Sequence, residues 1–322
     1  MKRLFITLLV FSSILSVSFG QDSKPVANEP SPNPDEARIV TSDITNFWRA
    51  YDMAKPETQI EVFKREYLDK GSIGLQDFVK LRISSAEALA KNINAHPKYY
   101  ASIRESTLRI ESFRPQIRAA FYALKYLYED AVFPDVYFLV GRMTSGGTLS
   151  NRALLIGAEM YGKTPNMPVE ELGEWHRQVL ASVNGVPHIV AHELIHYQQR
   201  KMAASNTLLA KCIREGSADF IAELISGRHI NDHLHTYGNL HEKQLWEEFK
   251  KEMLGIDNRR WLYNGAISKD RPGDLGYYMG YKISEAYYNK ARDKRQAVRG
   301  ILEIKDFEQF LKDSGYEAKF GN

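Results

Sequence analysis

Cysteine is almost missing from this 322-residue sequence; the one thiol, Cys212, has no partner for an internal disulfide. A chain of this length can bury enough apolar surface to fold without cross-links, so Cys212 is expected to be a small buried hydrophobe. Beyond residues 4–19, no apolar run is long enough to cross a bilayer. A strong charge of either sign is lacking too: 43 Lys and Arg face 40 Asp and Glu, a formal charge of +3. That balance gives no electrostatic case for binding nucleic acid or an anionic membrane surface. No internal repeat and no internal linker divide the chain.

What is present begins with "MKRLFITLLVFSSILSVSFG", in which Lys2 and Arg3 precede an apolar, Ser-containing run. Residues 1–20 read as a signal peptide, with Ser18 and Gly20 as the small residues before a cut at Gln21. Removing Lys2 and Arg3 lowers the formal charge from +3 to +1. The absence of a cysteine after this segment argues against a lipid anchor. The expectation is an exported protein, periplasmic or extracellular, with no integral membrane span after signal cleavage. Residues 21–36, "QDSKPVANEPSPNPDE", read as a disordered leader. Residues 37–322 then form one domain, with a helical part over about 37–130 and a metal-binding core over about 135–293.

Periodicity makes the fold class α+β and mostly helical. Thr58 and Glu61 can form a capping box, and helical patterns cover 85–94, 99–110 and 115–128. Residues 135–141 and 152–161 read as extended, joined by the Gly-rich "RMTSGGTLSN" into a hairpin-like β element. Helices follow near 187–203, 207–227, 238–254 and 275–293.

The stretch "VAHELIHYQQR" carries His192, Glu193 and His196 in the pattern His-Glu-x-x-His. Residues four apart share a helix face, so the two imidazoles can hold one metal ion, with Glu193 beside them. Ser205-Asn206 reads as the turn to a second, antiparallel helix. In that hairpin His196 lies level with Glu215, and His192 with Asp219. Glu215 thus becomes the third ligand and Asp219 the acceptor that orients His192. Zinc held by three protein groups keeps an open position, and Glu193 can take a proton from water bound there.

His192-Glu193-x-x-His196 followed by Glu215-Gly216-x-Ala218 resembles the gluzincin metallopeptidases. With "FKREYLDKGSIGLQDF" and "GYYMGYKI", the whole sequence looks similar to a bacterial group of predicted secreted zinc-dependent proteases. The resemblance implies a zincin-like catalytic domain, a small β element before the His-Glu helix, a Zn²⁺ cofactor and a peptide or protein substrate. It also implies a later Tyr as oxyanion donor. Tyr277, spaced from Gly280 as Tyr-x-x-Gly, is the first choice over Tyr278 and Tyr281, any of which could instead pack as core. Glu159 in "GAEMY" resembles the amine-binding Glu of zinc aminopeptidases with its order reversed, so a surface role is preferred.

The remaining histidines carry less. His188 lies one turn before His192, but the ligand set is complete without it. His229, His233 and His235 read as solvated loop residues, and His176 has no recognisable partner. Two functions follow: a zinc peptidase, endo- or aminopeptidase, or a non-catalytic exported envelope or surface-assembly factor that retains a structural zinc site.

Overall fold

The computed structural model describes residues 29–265 and 271–321. The expected signal peptide and the first half of the expected leader, residues 21–28, lie outside the described residues. From residue 29 onward the leader expectation is corrected. Ser31 bridges to Phe133, and Asn33 caps a short helical turn, Pro34–Glu36, whose Pro34 is buried.

Four strands form one sheet: β1 (Ile39–Val40), β2 (Asp135–Leu139), β3 (Gly147–Leu149) and β4 (Ala153–Gly157). The order is β1-β2-β4-β3, with β1, β2 and β4 parallel and β3 antiparallel to β4. The expected hairpin between the segments at 135–141 and 152–161 is therefore not formed. Every residue of β2 and β4 is buried, so both read as continuous apolar runs, as strands covered on both faces do. The tight turn lies later, where Ser150 N–H bonds the Ala153 carbonyl, and the glycines of "SGGT" open the edge strand β3.

Among the helices that precede the site are α1 (Ser42–Met53), α2 (Ile73–Phe78) and α3 (Arg114–Leu127). The expected capping box at Thr58 is not made; its side chain leaves the helix end unbonded. Tyrosines in this helical layer pin the exits of the strands. Tyr67 accepts from Val140 N–H and donates to its carbonyl, at 2.9 and 2.8 Å. Tyr100 donates to Gly141 O and Tyr99 to Glu159 O, both at 2.6 Å. Such bonds satisfy backbone groups that would otherwise be buried alone.

Four helices build the site: α4 (Val186–Gln198), α5 (Leu208–Ser226), α6 (Asp232–Glu252) and α7 (Leu275–Lys290). Nearly every residue of α4 is buried, so it is a central helix rather than an amphipathic surface one. Thr207 caps α5 through a bond to Ala210 N–H. The α5–α7 crossing is unusually close. A Cβ on Gly216 would lie 2.0 Å from Tyr281 N, and one on Gly280 only 1.7 Å from Cys212 O. Glycine at these two places lets the backbones touch, and that contact sets Tyr277 beside Glu215.

Candidate metal centre

A buried helix with two histidines and a glutamate must satisfy their polar atoms from its neighbours. His192 Nδ1 lies 2.8 Å from Asp219 Oδ1, so it carries the hydrogen. Asp219 Oδ2 accepts from Asn231 Nδ2 at 2.6 Å. His196 Nδ1 lies 2.7 Å from Gln199 Oε1. The Gln199 amide is fixed because its Nε2 donates to Arg214 O and Ser217 Oγ. With both Nδ1 atoms protonated, both neutral imidazoles present a bare Nε2.

These two nitrogens and Glu215 Oε2 converge. The Nε2 atoms are 2.9 Å apart, and Glu215 Oε2 lies 3.1 Å from His196 and 3.7 Å from His192. Ligands about 2.0–2.2 Å from a tetrahedral zinc stand roughly 3.3 Å from one another, so the spacing fits. Three lone-pair atoms so close need positive charge between them, from a proton or a metal. Burial pulls His196 down, but Glu215 outweighs it and pushes His196 up to about 9. Burial likewise pushes Glu215 up, yet His196 and His192 hold it at about 2. His192, His196 and Glu215 form the one group of three or more potential ligands among the described residues.

The cluster opens into a cleft of about 610 Å³ whose walls include Arg82, Thr148, Glu193, Arg200, Arg214 and Tyr277. Glu193 is raised by burial, a shift that the two imidazoles oppose. A Cβ on Gly147 would fall 2.4 Å from Glu193 Oε1, so β3 lies directly against this carboxyl. The Tyr277 ring stacks 6.4 Å from that of His192. Tyr278 bonds Asn239 and Tyr281 bonds Glu223, which turns both hydroxyls away from the cluster.

His188 turns to Ser226 Oγ, 2.9 Å away, and stays out of the ligand group. Other expectations change here. Glu159 is wholly buried, neither on the surface nor on a strand but in the turn Ala158–Tyr161. It accepts from Met143 N–H, and burial pushes it up to about 7. The edge beside the cleft belongs to β3, since β4 is internal. His233 is exposed as expected, whereas His229 and His235 are half-buried, with their rings 4.1 Å apart and tilted by 39°, and His235 packs on Tyr281.

Sequence reasoning missed Tyr263, whose hydroxyl donates to Glu215 Oε1 at 2.7 Å. It sits at φ +59°, a strained value for an aromatic residue. Reciprocal bonds between Asn264 and Asp274 hold the ends of this segment together. No motif marks Tyr263. Gln199 had a signal, because i+3 from His196 places it on the same helix face.

Comparison with known protein families matches residues 29–318 to the family described as gliding motility protein GldB. The chain belongs to that GldB family. No curated protein and no solved structure matches it. Membership in the GldB family overturns the resemblance to gluzincin and secreted zinc-dependent proteases, and with it the expected peptidase activity and peptide substrate. The physical reason is that two imidazoles and a carboxylate on a helical hairpin are a way to hold a metal, and such a site does not fix a reaction. GldB proteins are envelope lipoproteins, which agrees with export, although the one cysteine in this sequence is Cys212. Among the described residues no helix is long and apolar enough to cross a membrane. Cys212 is buried in α5, and burial pushes its thiol well up.

Proposed function

We propose that this GldB-family protein is a non-catalytic assembly factor of the cell envelope that serves gliding, with a structural zinc ion on the α4–α5 hairpin. The observation that carries the role is the family match, which spans residues 29–318 and so includes the whole metal centre. The zinc is supported by the convergence of His192 Nε2, His196 Nε2 and Glu215 Oε2, each oriented by its own partner. The same hairpin supports reading this part as zincin-like in shape. When bound, zinc ties α4 to α5 and contributes binding free energy to the folded state. Asp219 and Gln199 hold the imidazole tautomers, and Tyr263 holds the outer oxygen of Glu215. Glu193 and Tyr277 serve as polar walls for whatever group faces the open side of the metal.

The test is complementation of a strain lacking the gene, scored by colony spreading, with metal content of the purified protein measured in parallel. Glu193→Gln is expected to keep zinc and restore spreading, whereas His192→Ala is expected to lose zinc and fail. Loss of spreading in a folded, zinc-loaded Glu193→Gln protein would overturn the non-catalytic role, and a wild-type protein without affinity for zinc would overturn the site. Protease treatment of intact against opened cells separates the periplasmic side from the outer surface.

A further inference from the structure

The metal centre leaves one wall of its cleft electrostatically unfinished. Arg82, Arg200 and Arg214 all line it, and none has a carboxylate within ion-pair distance among the described residues. Arg200 donates to the carbonyls of Asn151 and Ser150, and Arg214 to that of Ser205. Their positions are thus fixed by neutral acceptors. Arg82 differs from both. Its Nη2 donates to Thr148 Oγ1 at 2.9 Å, which orients the guanidinium along β3. Its backbone is pinned as well, because Arg142 donates twice to the Arg82 carbonyl. Yet Arg82 Nε is buried and has no hydrogen-bond partner among the described residues.

A buried N–H of a charged group without an acceptor is costly, and an acceptor brought by a ligand removes that cost. Arginine's Nε–H and one Nη–H point the same way, and this side-on fork matches the two oxygens of a carboxylate. Three guanidinium groups and a divalent metal together outweigh the carboxylates of Glu193, Glu215 and the more remote Asp219. The cleft therefore favours an anion. Glu193 beside the metal disfavours a doubly charged one such as phosphate.

We propose that this cleft captures a carboxylate of a partner polypeptide, from an acidic side group or the free carboxyl terminus, gripped by Arg82 across from the metal centre. The assignment rests on the zinc-bearing reading above and names the chemistry by which such a factor recognises its partner.

The full exported protein is loaded with Co²⁺ as a coloured substitute for zinc, and metal affinity is measured first. The loaded protein is then titrated with N-acetyl-Gly-Gly, N-acetyl-Asp-amide, N-acetyl-Asn-amide and inorganic phosphate, followed by cobalt absorption and calorimetry. Binding and a spectral change with the first two, and none with the Asn control, is the expected result. The ratio of the first two affinities tells a terminal carboxylate from that of an acidic residue. Arg82→Gln is expected to weaken the carboxylate probes by about ten- to a hundredfold, as loss of a charge-assisted bond does, with metal affinity unchanged. Arg82→Lys keeps the charge without the fork and should fall between the two. Equal binding of the Asn control, a response to phosphate alone, or carboxylate binding indifferent to Arg82→Gln would overturn this inference and leave the zinc reading standing. Failure to take up Co²⁺ or zinc would overturn both.

Discussion

Two pairs of histidines among the described residues have ring centres within 5 Å, and one of them has its nitrogens arranged as a metal site needs. The His192 and His196 rings are 4.5 Å apart, and those of His229 and His235 are 4.1 Å apart, so proximity does not separate them. Orientation does. In the first pair each Nδ1 has an acceptor, Asp219 or Gln199, and both Nε2 atoms turn toward a third ligand. In the second, His229 Nδ1 and His235 Nε2 are buried without a hydrogen-bond partner among the described residues. Burial, followed by His229, pushes His235 down to about 4. The two regions are joined, since Asn231, between the second pair, donates to the Asp219 that orients the first. What separates the two pairs is thus the acceptors behind the imidazoles rather than the closeness of the rings.

The comparison breaks most directly at a ligand. His196→Ala should weaken zinc binding by roughly 10²- to 10³-fold, one ligand's share of a structural site, as measured by chelator competition. Affinity close to wild type in that variant would mean that the metal sits elsewhere.

Glu159 extends the contrast to a buried acid with one oxygen left unpaired. Its folded value, about 7, lies above the ordinary 4.5 of an unfolded polypeptide. Between these values the folded protein keeps a proton that the unfolded state has released. The stabilisation present below pH 4.5 is therefore lost as pH rises toward 7, by about 3 kcal/mol in all. Denaturant midpoints measured across pH 4.5 to 7 should therefore fall more, or rise less, with pH in wild type than in Glu159→Gln. His235 acts in the opposite sense, because its depressed value gives stability that is lost as pH falls from 6.5 toward 4. An unchanged pH slope in Glu159→Gln would remove Glu159 from this account.

The smallest effects sharpen the role of the supporting acceptors. Asp219→Asn keeps the size of the residue but loses the charge behind His192, and should cost about ten- to a hundredfold in zinc affinity. His235→Phe should leave that affinity within about twofold. A larger loss from His235→Phe than from Asp219→Asn would reverse the ranking of the two pairs.

The convergence of His192, His196 and Glu215 was legible because each link is local. Helical periodicity puts His192 and His196 on one face, and a short connection folds α5 back so that Glu215 and Asp219 fall level with them. The same locality made the helices at 86–95 and 114–127 readable. The sheet was not, since the parallel pairing of β2 with β4 depends on burial of both faces by distant helices, which periodicity along a strand does not encode. The fate of Glu159 was hidden for a similar reason, because it lies under Tyr99, sixty residues earlier in the sequence.

By itself, then, the amino-acid order determined a mostly helical α+β fold and the convergence of His192, His196 and Glu215, because those follow from periodicity and from contacts within one helical hairpin. Only the tertiary structure decided that Tyr263 reaches Glu215, that Gly147 lies on Glu193 and that Arg82 enters the same cleft with an unpaired nitrogen. Those residues arrive from elements tens of positions away, and packing of the shared core, rather than any spacing along the sequence, brings them to one place.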